Sequence, residues 1–149
     1  MNYVIEYLTA QPIVFMRRTG EYGAENNTLM TALKEWANQK SLFIDSIIYG
    51  IAHDNPADTP PEKCRYDVCL VTESDCPIDE AVQRGKIPDG KYTVFTIQHT
   101  AEAVQEFWNL VFQVLEENNI QTDFTKPILE RYRYRLVQEH KCEFCVPII

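Results

Sequence analysis

The stretch YGIAHDNPADTPPEKCRYDVCL, Tyr49–Leu70, sets two strand-like ends on either side of an acidic loop broken by prolines. Upstream, FIDSIIYGIA runs to Ala52; downstream, RYDVCLVTE starts at Arg65. Both are rich in β-branched and aromatic residues, as strands are. The chain between them must reverse. Asp54-Asn55-Pro56 supplies the chemistry, because Asx side chains cap the local backbone and proline fixes φ, while Pro60-Pro61 stiffens the return. Glu62, Lys63, Arg65 and Asp67 are expected to form a charge cluster that pins this hairpin. Two readings of the loop stand side by side: a rigid connection that fixes strand register, and a lip that binds a partner.

Outward from this hairpin the pattern repeats. Towards the N-terminus, YVIEYLT (3–9) alternates as a strand and IVFMRR (13–18) continues extended structure after Pro12. TGEYG (19–23) is a turn, and Leu29, Leu33, Trp36 and Ala37 then recur at helical spacing, with Asn26 or Asn27 as the expected N-cap. Towards the C-terminus, the polar Thr72–Gly90 segment reads as a connector and KYTVFTIQH (91–99) as a strand. Val104, Phe107, Trp108, Val111 and Leu115 form the apolar stripe of a second helix. KPILERYRYRLV (126–137) and KCEFCVPI (141–148) close the chain as two strands. The order strand, helix, strand, strand is therefore given twice.

That duplication predicts the fold class. It is α+β, a duplicated strand-helix-strand-strand unit forming one antiparallel sheet with two helices on one face. The expected organisation is a single domain over 1–149 with pseudo-repeats at about 1–74 and 90–149. The seam between the halves is a natural ligand site.

Charge and composition narrow the function. The 149-residue chain has 22 acidic against 14 basic side chains and a formal net charge of −8, which repels phosphate backbones and disfavours nucleic-acid binding. RYRYR (131–135) interleaves basic and aromatic residues, yet strand alternation sends Tyr132 and Tyr134 to one face and the arginines to the other, giving a core face and a solvated face. Five cysteines, an odd number, point to reduced thiols. Cys142 and Cys145 spell C-x-x-C near His140, but residues three apart on a strand face opposite ways, so no metal is expected. No cofactor is expected, since the five glycines form no phosphate-binding loop, and no nucleophilic triad, since G-x-S-x-G is missing. No apolar run approaches the roughly 18 residues of a membrane span, and MNYVIEYLTA lacks the basic start and apolar core of a signal peptide. The expected location is cytoplasmic.

The loop carries a family resemblance. HDNPADTPPEKCRYDVCL closely resembles the signature of the GyrI-like family, in which a strand ends, an Asp-Asn-Pro turn leads into a Thr-Pro-x-Glu-Lys loop, and Arg-x-Asp opens the next strand. The matching residues are Asp54, Asn55, Pro56, Thr59, Pro60, Glu62, Lys63, Arg65 and Asp67. TGEY before the first helix, Gly90-Lys91-Tyr92-x-Val94, KPILERY (126–132) and the closing aromatic-x-Val-Pro-Ile follow in the family's order across nearly the whole chain. The resemblance implies the same duplicated fold and a small-molecule pocket between its halves. Its relatives include effector-binding portions of drug-sensing transcription activators, proteins that modulate DNA gyrase, and hydrolases of cyclopropane-containing toxins. With no helix-turn-helix segment in the sequence, the expectation is a sensor without a DNA reader.

Glu130 is the sharpest site candidate. Alternation in KPILERYRY places Ile128, Glu130, Tyr132 and Tyr134 on one face, so a carboxylate stands among apolar and aromatic neighbours. Burial there raises its pKa or demands a partner; the bland alternative is a solvent-facing or arginine-paired glutamate. The resemblance aligns it with the glutamate of a Pro-x-x-Glu-x-Tyr strand that lies in the ligand pocket of drug-sensing relatives. A carboxylate floor with aromatic walls suits lipophilic cations through charge and cation–π attraction. Trp108, Tyr22, Tyr49 and Tyr132 are the other expected ligand-binding residues, each equally consistent with plain core packing.

Three functions follow from this reading. The first is a stand-alone small-molecule-binding protein with an aromatic pocket and a Glu130 anchor, taking aromatic, amphipathic, lipophilic or cationic ligands. The second is a hydrolase of strained cyclopropane compounds with Glu130 as the catalytic group. The third is an interaction module with a protein partner such as gyrase.

Overall fold

The computed structural model describes all of residues 1–149. Eight strands form one antiparallel sheet: β1 (Val4–Leu8), β2 (Gln11–Thr19), β3 (Ile47–Ala52), β4 (Arg65–Val71), β5 (Gln83–Ile87), β6 (Gly90–Gln98), β7 (Leu129–Arg133) and β8 (Lys141–Pro147). Helices α1 (Ala24–Gln39) and α2 (Ala101–Glu117) lie on one face, and a short helix α3 (Tyr134–Gln138) follows β7. The fold is α+β, as the duplicated pattern predicts.

The strand order β1-β6-β8-β7-β3-β4-β2-β5 is symmetric about the β7–β3 junction. Each half receives its outermost strand from the other: β1 precedes β2 in the chain yet pairs with β6, and β5 precedes β6 yet pairs with β2. Strand β5 falls inside the segment read from sequence as a connector. Its QRGKI is short and polar enough to hide a strand, and its edge position needs no apolar alternation.

Two layers of core result. Under α1 and α2, Leu33, Trp36, Phe107, Val111 and Leu115 pack on strand residues including Val14, Val68, Phe95 and Phe144. The opposite face carries no helix. A cluster there draws one or two residues from every strand, from Leu8 on β1 to Ile87 on β5, so the sheet curls around this inner face.

Three local expectations change. The RYRYR segment is strand only to Arg133; Tyr134 opens α3, its backbone N–H bonded to the Ser46 carbonyl at 3.0 Å and its ring edge-on to Phe43 at 5.4 Å. Its arginine face is not uniformly solvated: Arg131 is 3% exposed. Helix α1 starts after Gly23, which has no side chain to cap it; Asn26 lies inside the first turn, its amide oxygen taken by Arg18 Nη1 at 2.6 Å. The loop is pinned by one pair rather than a four-residue cluster. Asp54 accepts the Arg65 backbone N–H at 2.8 Å and its guanidinium at 2.9 and 3.0 Å, and these bonds hold the Asp54 carboxyl down at about 2. Asp67 instead faces Arg17 and His53, and Glu62 and Lys63 sit exposed on a 3-10 turn, Pro61–Lys63.

Candidate ligand pocket at the sheet seam

The β3–β7 junction places Gly50 directly opposite Glu130. Glu130 and Tyr132 share the helix-facing side of β7, and Tyr66 reaches the same side from β4, one strand beyond β3. Gly50 makes this possible. A Cβ there would run into the Tyr66 hydroxyl and sit 3.2 Å from Glu130 Oε1, so the missing side chain lets the Tyr66 ring lie across β3.

The three side chains interlock. Tyr132 Oη donates to Glu130 Oε2 at 3.0 Å and Tyr66 Oη to Oε1 at 3.4 Å. Burial pushes the Glu130 carboxyl above its ordinary value, and the two hydroxyls only partly offset that loss of hydration. Burial first, and then the neighbouring carboxylate, push both phenols far above the usual tyrosine value, so they remain donors.

A pocket of about 350 Å³ opens above them. Asn26, Asn27, Met30 and Lys34 of α1 form one wall, and His99, just beyond β6, forms the other with its ring 5.4 Å from that of Tyr132. Burial, with help from Lys34 and His140, lowers the His99 pKa and keeps the imidazole neutral near pH 7. Lys34 is half-buried and makes no ion pair. The pocket thus sets a buried carboxyl on its floor against one ammonium on its wall.

Of the residues proposed from sequence, the structure brings Glu130 and Tyr132 to this pocket. Tyr22 stands one layer back, its ring edge-on to Tyr66 at 6.3 Å and its hydroxyl donating to the Arg65 carbonyl at 2.7 Å. Trp108 is 41% exposed and packs 5.4 Å from Phe144, the register partner of Glu130, without lining the pocket. Tyr49 points to the rolled inner face, where its hydroxyl donates to Gln11 Oε1 at 2.9 Å and burial pushes it up to about 12. Tyr66, Gly50, His99, Lys34 and the α1 asparagines were missed. Gly50 did carry a signal, since a glycine inside a strand pattern marks close approach of another group.

Cys142 joins the core beneath α2 and Cys145 the inner face, so the C-x-x-C thiols point away from each other. All five cysteines are unpaired. No cluster of three or more His, Cys, Asp or Glu side chains could hold an ion. No helix is long and apolar enough to cross a membrane.

Comparison with known proteins fits this architecture. A family model described as the GyrI-like small molecule binding domain matches residues 1–149. The chain belongs to the GyrI-like family. The GyrI-like chain is 44% identical over 149 residues to the SPbeta prophage-derived candidate transcriptional regulator YosT of Bacillus subtilis strain 168, with 99% of each chain covered. Among solved structures it superimposes with TM-score 0.75 on EcmrR in a complex with DNA, at 10% identity, covering 99% of this chain and 57% of that one. It also superimposes on SAV2435 bound to tetraphenylphosphonium, with TM-score 0.63 and 16% identity, covering 100% of this chain and 94% of that one. At these identities the two structures establish the shared fold.

Proposed function

We propose that this GyrI-like domain binds a small organic molecule in the pocket over Glu130, with the carboxylate receiving a cationic or hydrogen-bond-donating group. The observation that carries the reading is the Glu130 carboxyl held beneath a cavity by two tyrosine hydroxyls, with no basic side chain neutralising it. A buried carboxylate is costly unless something compensates it, and a ligand cation that displaces water from the pocket does so. Tyr66 and Tyr132 offer ring surface to the same ligand, which suits organic cations through cation–π contact. SAV2435, of the same fold, is bound to such a lipophilic cation.

The pocket is less aromatic than the sequence suggests. Asn26, Asn27 and Lys34 make its α1 wall polar, which favours ligands carrying acceptor groups on the side away from Glu130. Titration calorimetry with tetraphenylphosphonium tests the anchor. Glu130→Gln should weaken binding about 10- to 100-fold, the range expected for one charge-assisted contact, with the fold retained by circular dichroism. Unchanged affinity in that variant would remove Glu130 from the binding role.

A further inference from the structure

The rolled inner face holds a second cavity, of about 320 Å³, on the opposite side of the sheet from Glu130. Ile13, Phe15, Ile51, Tyr92 and Leu129 give it apolar walls. Its volume falls at the lower end of the range that ligand pockets occupy, about 300–1,000 Å³.

Basic side chains form part of the cavity lining. Asp67 there already has both oxygens engaged, by Arg17 Nε at 2.6 Å, by Arg17 Nη2 at 2.9 Å and by His53 Nε2 at 2.7 Å. Arg17 Nη1 is left without a protein partner. Lys126 lines the same cavity and forms no ion pair; its Nζ makes only a 3.4 Å contact to the Asp89 carbonyl. Arg17 and Lys126 therefore face a single carboxylate, that of Asp67, in a chain whose net charge is −8. A local cationic excess beside apolar walls, against an acidic background, selects an anion with an apolar body.

We infer that this inner-face cavity is a second ligand site, taking a small amphipathic carboxylate whose apolar part lies along Ile13, Ile51 and Leu129 and whose anionic head meets Arg17 and Lys126. The site is separate from the Glu130 pocket, and neither reading depends on the other.

Methyl NMR of the full chain, titrated with octanoate and separately with 1-octanol, tests it. Octanoate should shift the Ile13 and Ile51 methyls while leaving the Met30 methyl, which marks the Glu130 pocket, in place. The Lys126→Gln variant removes a charge that pairs with no carboxylate of the protein. It should weaken octanoate about tenfold, a loss of about 1.4 kcal/mol, without altering the weaker response to octanol. No shift of the inner-face methyls at millimolar octanoate overturns the site, as does a shift confined to Met30. Equal affinity for octanoate and octanol, or an unaltered octanoate affinity in the Lys126→Gln variant, overturns the basic side chains as the anion's partner.

Discussion

Glu130 loses more hydration on burial than the hydroxyls of Tyr132 and Tyr66 return, and its carboxyl is therefore raised above the ordinary glutamate value. The sign of the resulting stability effect is fixed. A carboxyl whose folded pKa exceeds its unfolded pKa makes its full contribution below the unfolded value and loses it as pH rises through the folded one. Glu130→Gln removes that titration. Its melting temperature should match the parent protein in acid, below the ordinary glutamate pKa, and exceed it progressively as pH rises towards neutrality. Thermal unfolding of both proteins across this range measures it; a gap that does not change with pH would mean that ionisation of Glu130 is not the destabilising step. The same linkage makes cation binding strengthen with pH, because the anion is the form that attracts the ligand.

Among the elements, β3 decides whether the pocket exists. Gly50 clears the path for Tyr66 to reach Glu130, so Gly50→Ala should force the ring aside, costing about 1–3 kcal/mol by overpacking and breaking the Tyr66–Glu130 hydrogen bond. Gly23, where a Cβ would meet nothing within 4 Å, provides the control: in urea unfolding Gly23→Ala should cost only the smaller loss of a glycine N-cap, about 0.5–1 kcal/mol. Similar losses in both variants would refute the steric role of Gly50. This geometry also explains what the sequence could and could not reveal. Alternation along KPILERY put Glu130 and Tyr132 on one face because that inference needs only one strand. Tyr134 left the pattern where α3 begins, since alternating Arg and Tyr residues have no strong preference between strand and helix. Choosing between Tyr49 and Gly50 as the neighbour of Glu130 requires cross-strand register, and a one-residue difference reverses the face. Tyr66 depends in the same way on the Asp54–Arg65 pin, which sets where β4 begins.

At the scale of the molecule, the roll of the sheet turns the arginine face of β7 into an interior. Arg131 is buried there between Glu143 on β8, at 2.9 and 3.0 Å, and Glu6 on β1, at 3.1 Å, while Arg133 closes on Glu143 at 2.7 Å. The amphipathic pattern alone assigned that face to solvent; strand periodicity describes the two sides of a sheet but not whether the sheet closes on itself. The network has a second consequence, because Glu6 lies on an edge strand whose other contacts are weak: Val4, Ile5 and Tyr7 are all more than half exposed. Arg131 thus ties β1 to the centre of the sheet. Arg131→Ala removes the shared cation and leaves Glu143 with Arg133 alone, so it should cost about 3–5 kcal/mol in urea unfolding, the range for breaking a buried ion pair from one side. It should also lower hydrogen-exchange protection across Val4–Leu8 more than across β3, since β3 keeps two paired neighbours. A loss below about 1 kcal/mol, the range of exposed pairs, with β1 protection intact, would show that apolar packing of the inner face holds the roll without this cation.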